Sequence, residues 1–131
     1  MTVLIDLLAG ERYLSLTTYR SSGDGVATPV WFAPDADGSV LVYTGVDSGK
    51  VRRLQRDPAC TVAPCDIRGN VHGPSLTAHA TIIGGPDATT VRRALAAHHG
   101  WQWRVFELLW PLRNRGRAFD GVGLRLRADD P

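Results

Sequence analysis

Apolar and polar residues alternate along several short stretches of this chain, a pattern typical of strands that bury one face. The alternation predicts a strand over residues 12–19, with Leu14 and Leu16 on one face and Ser15 and Thr17 on the other. Similar runs, bounded by turn residues, predict five more strands at residues 26–33, 39–44, 59–65, 75–83 and 121–127. Strands so close in sequence favour antiparallel pairing, and a small barrel best removes their exposed edges.

Helical spacing replaces the alternation in four places. A short helix is predicted over residues 2–9 and an amphipathic helix over 49–56, with Ser48 as its N-cap and the Asp-Pro pair at 57–58 as its stop. Two further helices are predicted over residues 87–99 and 101–110, the first capped by Asp87 and followed by Gly100, the second stopped by Pro111. The fold class is therefore mainly β, with the helices inserted after the third and fifth strands.

Prolines mark two places where a strand cannot be fully paired. Pro29 and Pro64 fall inside predicted strands, but neither has a backbone N–H to donate to a neighbour. We therefore expect Pro29 to lie at a strand edge or a bulge, and Pro64 at a strand edge or the end of its strand.

Length and charge exclude several classes of protein. The 131 residues fit one domain, 1–131, without internal repeats or linkers. A net charge of +2 gives no reason to expect a nucleic-acid partner. No apolar run approaches the roughly 20 residues that span a bilayer, and the N-terminus lacks the basic start of a signal peptide. We expect a cytoplasmic protein without a membrane partner.

The two cysteines fit that location as reduced thiols. Cys60 and Cys65 do not have CxxC spacing, and no histidine pattern accompanies them, so neither a metal site nor a redox pair is expected. Being five apart on one predicted strand, they should point to opposite faces.

The single lysine of the chain lies at the start of the 49–56 helix. A helix N-terminus presents free N–H groups and a partial positive charge, so it disfavours a cation. Lys50, after Ser48 and Gly49 and before Arg52 and Arg53, is explained if a phosphate or carboxylate binds between them. The alternative is an ordinary solvated lysine.

Other candidate residues point to no specific chemistry. His98 and His99 are adjacent and cannot share a helix face as metal ligands, and the expectation is one half-buried and one exposed ring. Trp103, Phe106 and Trp110 share a helix face, which fits core or interface packing, or the wall of an aromatic ligand groove. Residues 113–117 are predicted to form a basic loop, which is either solvated or in contact with acidic ligands or nucleic acid. No carboxylate pair or nucleophile motif is present, so no catalytic residue is named.

In the order of its predicted elements and in its local motifs, the chain resembles the split β-barrel family of flavin and deazaflavin oxidoreductases related to pyridoxamine 5′-phosphate oxidase. The resemblance rests on "YLSLTTYRSSGDGVATPVWF", "YTGVDSGKVRRLQRDPACTVAPCD" and "GPSLTAHATII", and it covers nearly the whole chain. It is greatest to the actinobacterial branch that uses coenzyme F420. The implied fold is a six-stranded antiparallel split β-barrel that binds its cofactor in a groove at a homodimer interface.

The resemblance also implies which residues contact the cofactor. The phosphate site would comprise Thr44, Ser48, Gly49, Lys50 and Arg53. The ring system would lie along Thr28, Pro29, Val30 and Trp31 of the second strand, and Ala63, Pro64 and Cys65 of the fourth would line the same groove.

The implied activity is hydride transfer from reduced coenzyme F420 to a planar, hydrophobic small molecule. FMN is the alternative cofactor, and a non-enzymatic module that stores a cofactor or a tetrapyrrole is the alternative function. FMN-dependent members carry more basic residues on the second strand, where this chain has "ATPVW", which favours the deazaflavin.

Overall fold

The computed structural model describes residues 4–45, 48–113 and 121–129 of the chain. Along the chain, the elements are α1 (Leu4–Leu7), β1 (Tyr13–Tyr19), β2 (Gly25–Pro34), β3 (Val40–Gly45), α2 (Gly49–Arg56), β4 (Ala59–Cys65), β5 (Leu76–Ile83), α3 (Pro86–His99), α4 (Trp101–Arg113) and β6 (Gly121–Ala128). Within these ranges, no helix is long and apolar enough to cross a membrane.

The six strands form a closed antiparallel barrel in the order β1-β2-β3-β6-β5-β4, which confirms the predicted fold class. The alternation on β1 reflects its place in the barrel wall, because Leu14 and Leu16 point inward and are fully buried. Apolar side chains from every strand meet them in the core; among these are Phe32, Val40, Val42, Cys60, Val62, Ala78, Leu124 and Leu126.

The two short helices close opposite ends of the barrel. Leu4 of α1 and Leu8 just after it join the core at the end where β1 begins. Leu54 of α2 joins the core at the end where β3 finishes. Since α2 follows β3 directly, its N-terminus is held beside the last residues of that strand.

Helices α3 and α4 cover the outside of β2, β3 and β6. Leu95 of α3 and Trp103 of α4 are buried against Leu41, which points outward from β3. Helix α3 approaches β6 closely because Gly123 has no side chain: a Cβ there would stand 2.6 Å from Cγ2 of Val91 on α3. The expectation that Trp103 packs in a core is confirmed.

Two predicted helix boundaries are wrong. Helix α3 begins at Pro86 with Gly85 as its N-cap, so Asp87 lies in the first turn and is not the cap. Pro86 fits because the first helical residue needs no N–H. Helix α4 does not stop at Pro111 and continues to Arg113. A proline in the last turn removes only one intrahelical hydrogen bond, so the turn can still be completed.

The two prolines lie where their strands have only one neighbour. β2 pairs with β1 from Gly25 to Trp31 but with β3 only from Phe32 onward. β4 pairs with β5 only as far as Val62, so Pro64 has β1 as its only ladder neighbour among the described strands. The prediction of an edge position is confirmed for both prolines, although the barrel as a whole is closed.

Candidate functional site

The N-terminus of α2 lies at the end of β3 and has the predicted cap. Oγ of Ser48 accepts a hydrogen bond from the N–H of Val51 at 3.4 Å, and its carbonyl accepts one from the N–H of Arg52 at 3.3 Å. These bonds satisfy two of the N–H groups that a helix start leaves free. The N–H groups of Gly49 and Lys50, which precede them in the same turn, have no hydrogen-bond acceptor among the described residues.

Lys50 lies over the end of the barrel beside those N–H groups. Its Nζ donates to Oγ1 of Thr44 at 3.3 Å, and it forms no ion pair with any residue that the structure describes. Burial, and then the charge of Arg53, lower the pKa of the Lys50 ammonium. A cation that is partly removed from water and has no acid beside it among the described residues is unfavourable by itself. An anion bound at this position would supply the missing charge.

Arg53 is held one helical turn further on, on the same side of α2. Its Nε donates to Oγ1 of Thr18 at 2.6 Å. Burial lowers the pKa of Arg53, and the neighbouring charges of Arg20 and Arg52 lower it further. Glycine at position 49 leaves space for this side chain, because a Cβ there would stand 2.8 Å from its Nη1. Lys50 and Arg53 therefore form a compact cationic cluster on a fixed scaffold.

Thr18 was missed as a site residue by the sequence analysis. It is fully buried and continues the inward face of β1 that begins with Leu14 and Leu16. A polar residue on that otherwise apolar face was the signal that could have found it, because a buried hydroxyl needs a partner. Arg53 is that partner.

A split in the barrel runs from this cluster along β2. The β2–β3 ladder ends at the pair Phe32 and Val42. If that register continued, Val30 would stand opposite Thr44. The strands separate there instead, so the predicted ring-contact stretch of β2 and the predicted phosphate residues lie on the two sides of one split.

The four predicted residues of β2 do not all face the same way. Val30 points into the barrel and packs against the core, and Thr28, two residues earlier, points inward as well. Pro29 and Trp31 point outward, where Trp31 stacks on His99 with ring centroids 5.1 Å apart. The hydroxyl of Thr28 is buried without a hydrogen-bond partner among the described residues. It is the polar group on β2 that a ligand in the split could satisfy.

The predicted residues of β4 are separated from the split by β1. Ala63 and Pro29 both pair with Ser15, one on each side of it. Ala63 and Cys65 have only 5% and 2% of their surface exposed. Residues 66–74 fold back over this part of the barrel: the N–H of His72 donates to the carbonyl of Pro64. In the single chain, the β4 residues therefore do not join the cluster on α2.

Both cysteines are free thiols and unsuited to nucleophilic chemistry. Cys60 points into the core and Cys65 outward, as their spacing predicts. Burial raises the pKa of the Cys60 thiol to about 12 and also raises that of Cys65. A protonated thiol is a poor nucleophile and a poor metal ligand. No group of three metal-ligating side chains occurs among residues 4–45, 48–113 and 121–129.

The remaining candidates take structural positions where they are described. His99 is buried and His98 is exposed, as expected for the pair. The side chains of Phe106 and Trp110, and residues 114–117 of the basic loop, lie outside the described part of the chain.

Comparisons with known proteins agree with this geometry. The family described as Pyridoxamine 5'-phosphate oxidase matches residues 4–117. A closed six-stranded antiparallel barrel with a few added helices is the fold expected of a member of this family. The chain belongs to the pyridoxamine 5′-phosphate oxidase family.

Solved structures with the same fold have diverse roles. A conserved hypothetical protein of Mycobacterium tuberculosis is 22% identical with a TM-score of 0.67, covering 97% of this chain and 79% of its own. The heme storage protein HutZ of Vibrio cholerae is 13% identical with a TM-score of 0.66, covering 96% and 87%. An F420 reductase is 19% identical with a TM-score of 0.56, covering 96% and 93%. No curated protein matches the chain.

Proposed function

We propose that this protein is an oxidoreductase that uses reduced coenzyme F420 to transfer a hydride to a planar, hydrophobic small molecule. The observation that carries the proposal is Lys50: a partly buried ammonium at a helix N-terminus, with a hydroxyl but no described acid beside it. In the flavin and deazaflavin family that the sequence resembles, a cofactor phosphate is the anion that such a position would hold.

The phosphate end of the cofactor would be bound by α2. Lys50 and Arg53 would supply positive charge, and the N–H groups of Gly49 and Lys50 would donate to phosphate oxygens. Thr44 and Thr18 already hold the two side chains in place, so little conformational freedom would be lost on binding. Ser48 would act indirectly, by capping the helix that presents these groups.

The ring end of the cofactor would lie along the split beside β2. Between Gly25 and Trp31, the side of β2 that faces away from β1 has no ladder partner among the described strands. Its backbone groups could therefore bind polar atoms at the rim of a ring system. β2 carries no Lys or Arg, so it offers no second phosphate contact of the kind that FMN-dependent members have, which favours the deazaflavin.

The cofactor supplies the hydride when it is bound and reduced. The chain would contribute orientation, an apolar wall at Val30, and charge at the phosphate end. The pKa values of both cysteines are raised, and no described carboxylate lies in the cationic cluster. We therefore assign no side chain as proton donor, and solvent would protonate the product.

The test is an equilibrium titration of the purified chain against coenzyme F420 and against FMN. We expect tighter binding of F420, followed by acceptor-dependent oxidation of the reduced cofactor with a planar conjugated acceptor. Tighter binding of FMN, together with turnover, would show that the cofactor is FMN and not coenzyme F420. Binding of neither cofactor would contradict it altogether.

A second candidate is a non-enzymatic module that stores a tetrapyrrole. It is favoured by two similar structures whose names concern heme, HutZ and a heme-binding protein of Mycobacterium smegmatis that is 16% identical with a TM-score of 0.62. Addition of hemin distinguishes the two candidates. A stoichiometric Soret band, together with no F420 binding, would favour storage over hydride transfer.

The proposal includes a cytoplasmic homodimer. Ala63, Pro64 and Cys65 are separated from the split by β1 within one chain, so the groove implied by the family resemblance would require the β4 residues of a second copy.

A further inference from the structure

A cleft lies at the end of the barrel away from α2, and the proposed function does not use it. It is bounded by α1 and the residues that follow it, by the turn between β2 and β3, and by the junction of α3 and α4. Its volume is about 360 Å³, which is within the range of small-molecule sites. It opens near Val40 at the first residue of β3, whereas Lys50 contacts Thr44 near the last, roughly 13 Å away along the strand.

The walls of the cleft are apolar and partly aromatic. Leu8, Phe32 and Val40 are nearly inaccessible and form its inner surface, and Trp101, which is 72% exposed, stands at its rim. A contiguous apolar surface of this kind is characteristic of ligand-binding grooves. A flat, aromatic ligand body suits these walls.

The polar groups around the cleft are mostly basic. Arg12, His98 and His99 line it, and Arg12 forms no hydrogen bond or ion pair within the described part of the chain. The one acid on the lining, Glu11, is engaged by His72 at 2.9 Å. Arg12 is close enough to His99 for its charge to help lower the pKa of that imidazole. Arg12 is therefore a cation at the cleft without a described partner, and the lining acid, Glu11, is held by His72.

His99 adds a defined hydrogen-bonding state. Its Nε2 lies 2.8 Å from the carbonyl oxygen of Phe32, which can only accept, so Nε2 carries the hydrogen. Burial lowers the pKa of His99, which keeps the ring neutral with a bare Nδ1. The ring is also fixed by stacking on Trp31 at 5.1 Å. His99 is thus a rigid wall of the cleft.

We propose that this cleft is a second small-molecule site, which binds a planar aromatic compound carrying one anionic group. The ring would lie against Phe32 and Trp101, and the anionic group would pair with the guanidinium of Arg12. The site is independent of the cluster at Lys50 and Arg53, which lies at the other end of β3.

Two fluorescent probes of similar shape test the charge requirement. Anilinonaphthalene sulfonate is an aromatic anion, and N-phenyl-1-naphthylamine is its neutral counterpart. We expect one sulfonate probe to bind per chain and Arg12→Gln to weaken it about tenfold, the scale of one charge-assisted contact, without changing binding of the neutral probe. Arg104→Gln, an exposed arginine on α4 outside the cleft, serves as the matched control and should change neither.

Location is tested separately from charge. Ala9→Trp should fill the cleft and abolish binding of both probes, whereas Leu108→Ser, which removes an exposed leucine elsewhere on α4, should leave both unchanged. Amide NMR shifts on adding the sulfonate probe should move for Gly10, Arg12 and Gln102. The proposal is overturned by equal loss of both probes in Arg12→Gln, by loss in Leu108→Ser, by shifts centred on Gly49 and Lys50, or by no saturable binding.

Discussion

Two threonines hold the two cations at the N-terminus of α2. Thr44 accepts from Lys50 and Thr18 from Arg53, and both threonines are buried at the barrel end. The hydroxyls orient the charges without neutralising them, in contrast to a carboxylate, which would form an ion pair. A cation held in this way keeps its full attraction for an incoming anion, so the cluster is suited to binding and contributes little to folding.

At the same scale, the two thiols should be dispensable. Replacing Cys60 and Cys65 together by Ala should leave cofactor affinity within about threefold, because burial keeps both protonated and neither lies in the cationic cluster. Cys60 belongs to the core, so the free energy of unfolding should fall by about 1 kcal/mol or more. Titration with cofactor and denaturant unfolding measure the two effects. Abolished binding would show that a thiol contacts the ligand.

At the scale of elements, α3 and α4 depend on burial against the outside of the barrel. Leu95→Ala should lower the free energy of unfolding by about 2–5 kcal/mol, because the side chain of Leu95 on α3 is fully buried against the outward face of β3. Leu108→Ala is the matched control, since Leu108 is 73% exposed and should cost less than about 0.5 kcal/mol. Equal effects in urea unfolding would contradict this packing.

The turn between β2 and β3 is joined to β6 by charges. Arg125 contacts Asp35 at 2.6 Å, and Arg127 contacts Asp37 at 2.8 Å. Hydrogen bonds from the side chain and backbone of Ser39, together with the charge of Arg127, lower the pKa of Asp37 to about 2. The pKa of Asp35 is also lowered, first by its hydrogen bond from Arg125.

These shifts predict the direction of a pH dependence. A carboxyl whose pKa is lower in the folded state stabilises that state above its unfolded pKa, and the stabilisation is lost as pH falls towards the folded value. The destabilisation caused by Asp37→Asn should therefore be largest near neutral pH and should shrink between about pH 5 and about pH 2. Urea unfolding of both proteins across that range measures it, and a difference independent of pH would show that Asp37 is not ionically coupled.

Local patterns predicted the strands because each barrel strand buries one face. The alternation of Leu14 and Leu16 with polar residues therefore predicts β1, and Ser48, a favoured N-cap residue, predicts the start of α2. The split could not be predicted in the same way, since the end of the β2–β3 ladder at Phe32 depends on pairing between distant residues. The continuation of α4 past Pro111 was missed because a proline's effect depends on how many helical bonds follow it. The cleft at Arg12 joins three separate segments and has no local signal.

At the scale of the whole molecule, assembly is the open expectation. We predict a homodimer whose interface buries more than roughly 2,000 Å² in total, as obligate dimers do. Light scattering on a size-exclusion column at micromolar concentration measures the mass directly; the expected value is twice the 14.2 kDa of the chain. A monomeric mass would contradict the proposal that a second copy of the chain contributes its β4 residues to the groove.

The affinity of the whole protein for coenzyme F420, before and after Lys50→Ala, tests the central claim most directly. Loss of one charge-assisted contact is worth about 1.5–3 kcal/mol, so calorimetry should show affinity about 10- to 150-fold weaker. Added salt should lower the affinity for coenzyme F420 more steeply in the unmodified protein than in the variant. Lys50→Arg should recover part of the lost affinity. Arg93→Ala, an exposed arginine on α3, is the control and should bind as the unmodified protein does. Unchanged affinity in Lys50→Ala would contradict the assignment of α2 as the site that holds the cofactor's phosphate.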